Sequence, residues 1–488
     1  MSAAPTRGDL VTRGAPLRLA VVGAGITGLA AAHRAVEVAA ATGRPLELTV
    51  LDGADRAGGT IRTERYEGFL VEHGPDSFLS EKPWALALCR RLGLEPRLVR
   101  TDDARRRTFV VWRGRLHPLP DGFQLLAPTR LGPFLSSGLF SWPGKLRMAL
   151  DLVLPRGGAS DESLGGFVRR RLGAQALERV AQPLVAGIYT ADPDELSLAA
   201  TMPRFLELER RERSVILALW RAARRAPAEA AGASGARWSL FVTLAGGMEE
   251  LVRALVDRLP AGALRLGERV TEVLPEDGGW CVVTAAGARL AADAVVLSCE
   301  SHHAARLLRY TDPGLAHLLE TIGYASSATV TLGFPRAAVA HALDGFGFVV
   351  PRAEGRPIIA GTFSSVKYPG RAPEGFALVR VFLGGALDEA IVDRGDDELV
   401  AIARAQLGEL LGARGEPLFS RVARYSRAMP QYHVGHLARV EAIEGALRRH
   451  PGLELAGGAY RGVGIADCVR SGEEAADRLL GGALPPPA

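Results

Sequence analysis

Cysteine is scarce in this chain. The 488 residues hold four, Cys89, Cys281, Cys299 and Cys468, and none stands in a C-x-x-C pair. That spacing excludes a zinc ribbon and a disulfide framework, and it fits a reducing compartment. Long hydrophobic runs are missing too: nothing reaches the roughly 18 apolar residues of a spanning helix. The densest segment, 131–155 (LGPFLSSGLFSWPGKLRMALDLVLP), is broken by Pro133, Pro143, Gly144 and charges. The opening MSAAPTRGDLVTRGAP lacks the apolar core of a signal peptide. No internal repeat is visible. Charge of one sign is not concentrated: 59 basic residues face 54 acidic ones, for a net +5. So dilute an excess excludes a nucleic-acid-binding face, and leaves a moderate pull toward anionic substrates or anionic lipid. No Ser-His-Asp or zinc spacing stands out. His433 and His436, in HVGH, lack a third ligand and read as surface or core residues.

What is present is an ordinary globular composition, 48% hydrophobic and 23% charged, long enough for two to three domains. Residues 17–22 (LRLAVV) read as a strand, 26–42 as a helix and 46–51 (LELTVL) as a second strand, which is a βαβ opening. Residues 84–94 and 163–182 read as helices, the latter capped by Ser163. The stretch 222–237 reads as a solvated loop. Residues 268–298 read as a hairpin with a return strand (DAVVLSC), and 326–350 and 377–384 as further β structure. Helices follow at 397–413 and 468–480, and the proline tail 485–487 is read as disordered. Strands interleaved with helices predict an α/β core with a second, mixed-sheet domain.

Between the first strand and helix lies GAGITG, residues 23–28, a G-x-G-x-x-G in its required context. Gly23 permits the tight turn, Gly25 lets backbone approach a pyrophosphate, and Gly28 lets helix and strand pack closely. The helix N-terminus offers unpaired N–H groups and partial positive charge to phosphates. Asp52, at the end of the second strand, is placed to accept from ribose hydroxyls. A second turn follows at once, Arg56-x-Gly58-Gly59, and a third at Gly74–Pro75 within EHGPDSF. Near the C-terminus AYRGVGIADCVRSG repeats the design: a turn at Gly462–Gly464 leads into a helix beginning near Ile465. A helix N-terminus there stabilises a nearby anion by about 0.3–1 kcal/mol.

The Arg-x-Gly-Gly turn after the ribose-binding acid resembles the flavin amine oxidase superfamily, not nicotinamide dehydrogenases. Further segments resemble the protoporphyrinogen and coproporphyrinogen oxidases over residues 17–480: EHGPDSFLSEKPWALALCRRLGL, SWPGKLRMALDLVLP, ESLGGFVRRRLG, QPLVAGIYTADPDELSL, TLAGGMEELVRAL, GFGFVVPRAEG, GTFSSVKYPGRAPEG and AMPQYHVGH. The resemblance implies a Rossmann-like FAD-binding domain (1–90, 238–304 and 414–488), a largely helical membrane-associating part (91–210) and a mixed-sheet substrate domain (211–237 and 305–413). It implies non-covalent FAD, held by Gly23, Ala24, Gly25, Ile26, Thr27 and Gly28, by Asp52 and Gly53, and by Arg56, Gly59 and Thr60. Gly74, Pro75, Asp76 and Ser77 belong to the same set, with Val270, Val463, Gly464 and Ile465. Cys468 lies inside the last helix and reads as a core thiol, not a flavin attachment point.

In that family the flavin oxidises a porphyrinogen and molecular oxygen reoxidises the flavin. The resemblance places Leu332, Val349 and Phe363 against the macrocycle and the Gly187 carbonyl at its pyrrole N–H groups. Relatives carry a propionate-gripping arginine where this chain has Thr108, after Arg105, Arg106 and Arg107. Either Arg107 takes that role or the grip is lost. With only this run and Lys367 as cations, and apolar GFGFVVP and neutral GTFSSV around the ring, protoporphyrinogen IX is the expected substrate and coproporphyrinogen III the alternative. A carotenoid desaturase or polyamine oxidase, and a non-catalytic flavin protein, are the competing classes. The expected setting is cytoplasmic, with peripheral contact on the inner face of the cell membrane, no nucleic acid, and room for a homodimer.

Overall fold

The computed structural model describes residues 15–124, 127–158, 160–225 and 241–481. The loop expected at 222–237 therefore lies mostly outside the described residues, as does the proline tail; residues 222–225 close the helix Val215–Arg225.

Two sheets organise the chain. The first is parallel, with the strands Leu264–Leu266, Leu46–Asp52, Leu17–Val22, Ala294–Leu297 and Leu453–Leu455 in that spatial order. Leu17, Leu19 and Val21 pack on one face against the helices Ile26–Thr42 and Ile465–Leu480, while Ala20 and Val22 pack on the other against Ser301–Leu308 and Pro313–Glu320. Burial on both faces is why these strands read as continuous apolar runs. The helix 26–42 has the boundaries its pattern predicts, closed by Gly43 at φ 66°. The expected return strand of the 268–298 hairpin goes elsewhere. Val270–Glu276, Gly279–Thr284 and Arg289–Ala292 form their own antiparallel sheet, and Ala294–Leu297 pairs in parallel with Leu17–Val22.

The second sheet has seven strands in the order Phe419–Gln431, Gly323–Pro335, Phe376–Gly384, Ala360–Phe363, Gly347–Val349, Thr108–Trp112 and Arg115–Pro118. The sequence reading grouped 108–118 with the helical part and 419–431 with the cofactor domain; both pair here instead. Its strands alternate strictly. Ala328, Val330, Leu332 and Phe334, with Val379, Val381 and Phe363, face a core closed by the helix Asp396–Leu411. On the other face Ser327, Thr329, Thr362, Arg380 and Phe382 line the cavity described below, while Leu378 packs against Phe69 and Val71.

A third core lies under the helices of 131–225. The single helix expected over 163–182 is interrupted. Ser163 caps it as predicted, its hydroxyl accepting from the Gly166 N–H at 3.0 Å, but Gly173 at φ 88° breaks the run after Leu172. A new helical stretch then continues to Tyr189.

Candidate functional site

One cavity of about 660 Å3 runs between the C-terminal ends of the parallel strands and the open face of the seven-stranded sheet. Gly25, Ile26, Thr27, Gly59, Thr60, Gly74, Pro75, Asp76, Ser77 and Val463 line it at one side, and Gly187 and Val349 at the other.

The glycine loop is built as its residue types require. Gly23 sits at φ 107°. A Cβ on Gly28 would lie 1.9 Å from the Gly23 carbonyl oxygen, so this glycine is needed for packing inside the protein. Gly25 differs: a Cβ there would meet no protein atom within 4 Å. Its bareness keeps space for something that approaches from the cavity. The Arg56–Gly59 turn closes onto this loop. Gly58 N–H donates to the Ala24 carbonyl at 2.8 Å, and a Cβ on Gly59 would stand 3.3 Å from the Gly25 Cα.

The helices beginning at Ile26 and Ile465 each start from a glycine with no side-chain cap. An α-helix leaves its first N–H groups without intrahelical partners, so both termini offer donors to an anionic ligand. The two helices cross in close contact. A Cβ on Gly472 would fall 2.2 Å from the Thr27 carbonyl oxygen.

Other predicted cofactor residues support the cavity without lining it. Asp52 accepts from the Ala24 N–H at 2.7 Å and the Ala54 N–H at 2.8 Å, so it braces the glycine loop; a carboxylate keeps further lone pairs for a ribose. Arg56 donates to the carbonyls of Ala57, Gly59 and Ile61 and thereby fixes its own turn. Gly53 packs on Arg269, and Val270 is half-buried in the antiparallel sheet. Gly464 and Ile465 start the last helix beside the cavity wall. Cys468, read from sequence as a core thiol, is half-buried and lines the cavity. Burial pushes its thiol up to about 11, so it stays protonated at neutral pH.

The substrate side needs corrections. Gly187 and Val349 face each other, 3.7 Å from the Gly187 Cβ position to Val349 Cγ1. Leu332 and Phe363 are fully buried on the opposite face of the sheet. On the same strands the cavity-lining residues include Ser327, Thr329 and, next to Phe363, Thr362; a one-residue shift in a strand exchanges the faces. Arg107 is half-exposed, ion-paired with Asp344 at 2.5 Å, and outside the cavity. Arg106 lines it instead, with Thr101 and Thr108. His436 Nε2 donates to the Tyr460 carbonyl at 2.8 Å and His433 pairs with Glu195, so both HVGH histidines have partners within the protein and neither lines the cavity.

Between the two sides lies a charged group that sequence reasoning largely missed. Lys367 Nζ stands 3.0 Å from both carboxylate oxygens of Asp76, and the Ser77 hydroxyl donates to Asp76 at 2.6 Å. Burial alone would raise the Asp76 carboxyl; Lys367, Ser77 and Arg380 outweigh it and hold it at about 2. Arg380 donates to the carbonyls of His73 at 2.7 Å and Gly74 at 2.6 Å. Its one sequence signal is a charge inside the otherwise apolar strand FALVRVFLG.

The family described as flavin containing amine oxidoreductase matches residues 26–480. The coproporphyrinogen III oxidase of Bacillus subtilis (strain 168) is 37% identical, over 94% of this chain and 97% of that protein. That of Propionibacterium freudenreichii is 38% identical over 96% of this chain and 91% of its own. The chloroplastic protoporphyrinogen oxidase of Nicotiana tabacum is 30% identical over 96% and 86%. A crystal structure from Exiguobacterium sp. 255-15, provisionally named protoporphyrinogen oxidase, superposes with a TM-score of 0.83 at 31% identity, covering 96% of this chain and 99% of that one.

Proposed function

The chain belongs to the flavin containing amine oxidoreductase family, and we propose that within it the protein oxidises coproporphyrinogen III to coproporphyrin III. Its cofactor is FAD. The bare Gly25 and the two uncapped helix N-termini suit a pyrophosphate and an anionic ring system. When bound, FAD accepts the substrate's hydrogens as reducing equivalents and passes them to oxygen. The macrocycle loses six hydrogens, so three molecules of oxygen become three of hydrogen peroxide.

The observation that carries the substrate choice is the lining of the sheet face. The expectation of protoporphyrinogen IX rested on few cations, the run Arg105–Arg107 and Lys367, and on apolar GFGFVVP and neutral GTFSSV around the ring, with Leu332 and Phe363 expected against it. The Leu332 and Phe363 side chains point away, and the polar side chains that this sheet presents to the cavity include Ser327, Thr329 and Thr362, beside apolar Val349 and Phe382, with Arg106 and Lys367 also on the cavity. Coproporphyrinogen III carries four propionates, protoporphyrinogen IX two. A carboxylate taken out of water without a partner costs several kcal/mol, so the hydroxyl donors and Arg106 favour the more carboxylated ring, while Lys367 is already engaged by Asp76. The names of the Bacillus and Propionibacterium relatives support the same choice. Gly187 lies in the last turn of Gln182–Tyr189. Carbonyls there lack intrahelical partners and sit at the negative end of the helix dipole, which suits acceptance from pyrrole N–H groups. Side-by-side oxidation of both porphyrinogens, followed by porphyrin fluorescence, tests the reading. Coproporphyrinogen III is expected to have the higher kcat/KM, and Arg106→Ala to raise its KM more than it lowers kcat. A clear preference for protoporphyrinogen IX would reject it.

Residues 131–153 are the proposed contact with a lipid surface. Seven of the twelve large apolar side chains exposed among the described residues fall there, including Trp142, Leu146 and Val153, each about two-thirds exposed. They ride on the short helices Leu131–Ser136 and Trp142–Ala149 and the turn after them. Among the described residues no helix is long and apolar enough to cross a membrane. Such a patch suits shallow insertion.

A further inference from the structure

We propose that Arg380 is a positioning residue for the cofactor: it pins the 73–77 turn from behind and supplies the net positive charge that favours the reduced, anionic flavin. The inference rests on FAD as the cofactor and is independent of which porphyrinogen is oxidised.

Arg380 lies in the middle of Phe376–Gly384, opposite Thr331 on one neighbouring strand and Thr362 on the other. Its flanking residues Val379 and Val381 face the apolar core, so Arg380 faces the cavity, and it lines that cavity while being only 6% exposed. Two of its nitrogens are spent on the backbone carbonyls of His73 and Gly74. Its Nε has no partner. Among the described residues it makes no ion pair.

The charges around it nearly cancel without it. Asp76 is ionised and taken by Lys367 at 3.0 Å. Glu72 is 3.8 Å from Arg371 and accepts from Thr63 and from the Met248 N–H. Tyr425 is neutral, its hydroxyl pushed up by burial. Of these groups the Arg380 guanidinium is the one left without a carboxylate in ion-pair contact. A buried cation whose direct contacts are two carbonyls and the Phe382 ring, 4.8 Å away, with Asp76 acting on it only through its field, is costly, and a valine would continue the strand without that cost. The charge is compensated when an anion enters the cavity, and the turn that Arg380 holds contains Gly74, Pro75, Asp76 and Ser77, four of the cofactor residues expected from sequence. Reduction of a flavin adds negative charge, so the effect of Arg380 is larger on the reduced form than on the oxidised one.

The test is the two-electron midpoint potential of the purified holoenzyme, with no porphyrinogen present. Arg380→Met is expected to lower the reduced-to-oxidised ratio at least tenfold at a fixed solution potential, a shift of about 30 mV for two electrons. Arg380→Lys keeps the charge without the two-carbonyl fork; it is expected to hold the wild-type potential while releasing FAD more readily on heating. Should Arg380→Met fail to fold, Arg380→Gln, which keeps a donor without the charge, takes its place. A potential unchanged in the neutral variant overturns the proposal. So does an equal drop in Arg380→Lys, because the charge would then not be the cause. A raised KM for porphyrinogen at unchanged potential would assign Arg380 to a substrate carboxylate and likewise overturn it.

Discussion

Replacing Gly472 by alanine should loosen the cofactor site from a distance, and the same replacement at Gly408 should stabilise the protein. Both glycines lie inside long helices, Ile465–Leu480 and Asp396–Leu411. In a helix interior, glycine to alanine is worth about 1 kcal/mol in favour of alanine. At Gly408 the new Cβ would meet only the Ala413 carbonyl oxygen, at 3.6 Å, an ordinary contact, so the full gain of about 1 kcal/mol is expected there. At Gly472 it would lie 2.2 Å from the Thr27 carbonyl oxygen and 3.1 Å from the Ala31 nitrogen. Both are backbone atoms of the helix that starts at the glycine loop, so relief requires moving one helix off the other by about 1 Å. Overpacking of this kind costs about 1–3 kcal/mol, enough to cancel or exceed the propensity gain. The displacement also separates two helix N-termini that must meet one ligand. A weakening of FAD binding by tenfold or more, about 1.4 kcal/mol, is the expected consequence. FAD titration of the apoprotein by quenching of flavin fluorescence, with thermal unfolding followed by circular dichroism, reads both terms. If Gly472→Ala binds FAD like wild type and gains stability as Gly408→Ala does, the helix contact does not control the site.

Three further outcomes are expected. Acid denaturation should release FAD intact into the supernatant, because Cys468 is held protonated by burial; flavin that stays with the precipitate would contradict this. Glu473 is 1% exposed, and burial raises its carboxyl to about 7 despite the adjacent Arg91. A raised carboxyl favours folding below its unfolded pKa of about 4.3, and that contribution is lost as pH rises through 7. Glu473→Gln should therefore flatten the fall in unfolding free energy between about pH 4.5 and 7, by roughly 3 kcal/mol; parallel pH profiles would refute it. Trp142→Ser with Val153→Ser should cut sedimentation with anionic liposomes several-fold while leaving the thermal midpoint near wild type, since both side chains are exposed; undiminished binding would remove 131–153 from the contact.

The features legible in the sequence are those with local causes. Gly23 needs a left-handed backbone, Gly28 a missing Cβ, and Ser163 a free N–H to cap, so the glycine loop, the helix 26–42 and the caps follow from a few neighbouring residues. The start of the last helix at Ile465 follows in the same way, from the glycine turn before it. Features that depend on a partner far along the chain were decided only by tertiary structure. Alternation in 323–335 and 360–363 shows that two faces exist, but the helix 396–411 determines which is core, and so Leu332 and Phe363 turned away from the cavity. Asp344, 237 residues distant, draws Arg107 outward. Ala294–Leu297 joins the parallel sheet because Leu17–Val22 and Leu453–Leu455 offer unpaired edges on either side of it. Arg380 is a cavity cation because it stands beside carbonyls contributed by residues 73 and 74, some 300 positions earlier. Backbone conformation is encoded within a few residues; the facing of a side chain is set by what packs against the other side of its strand.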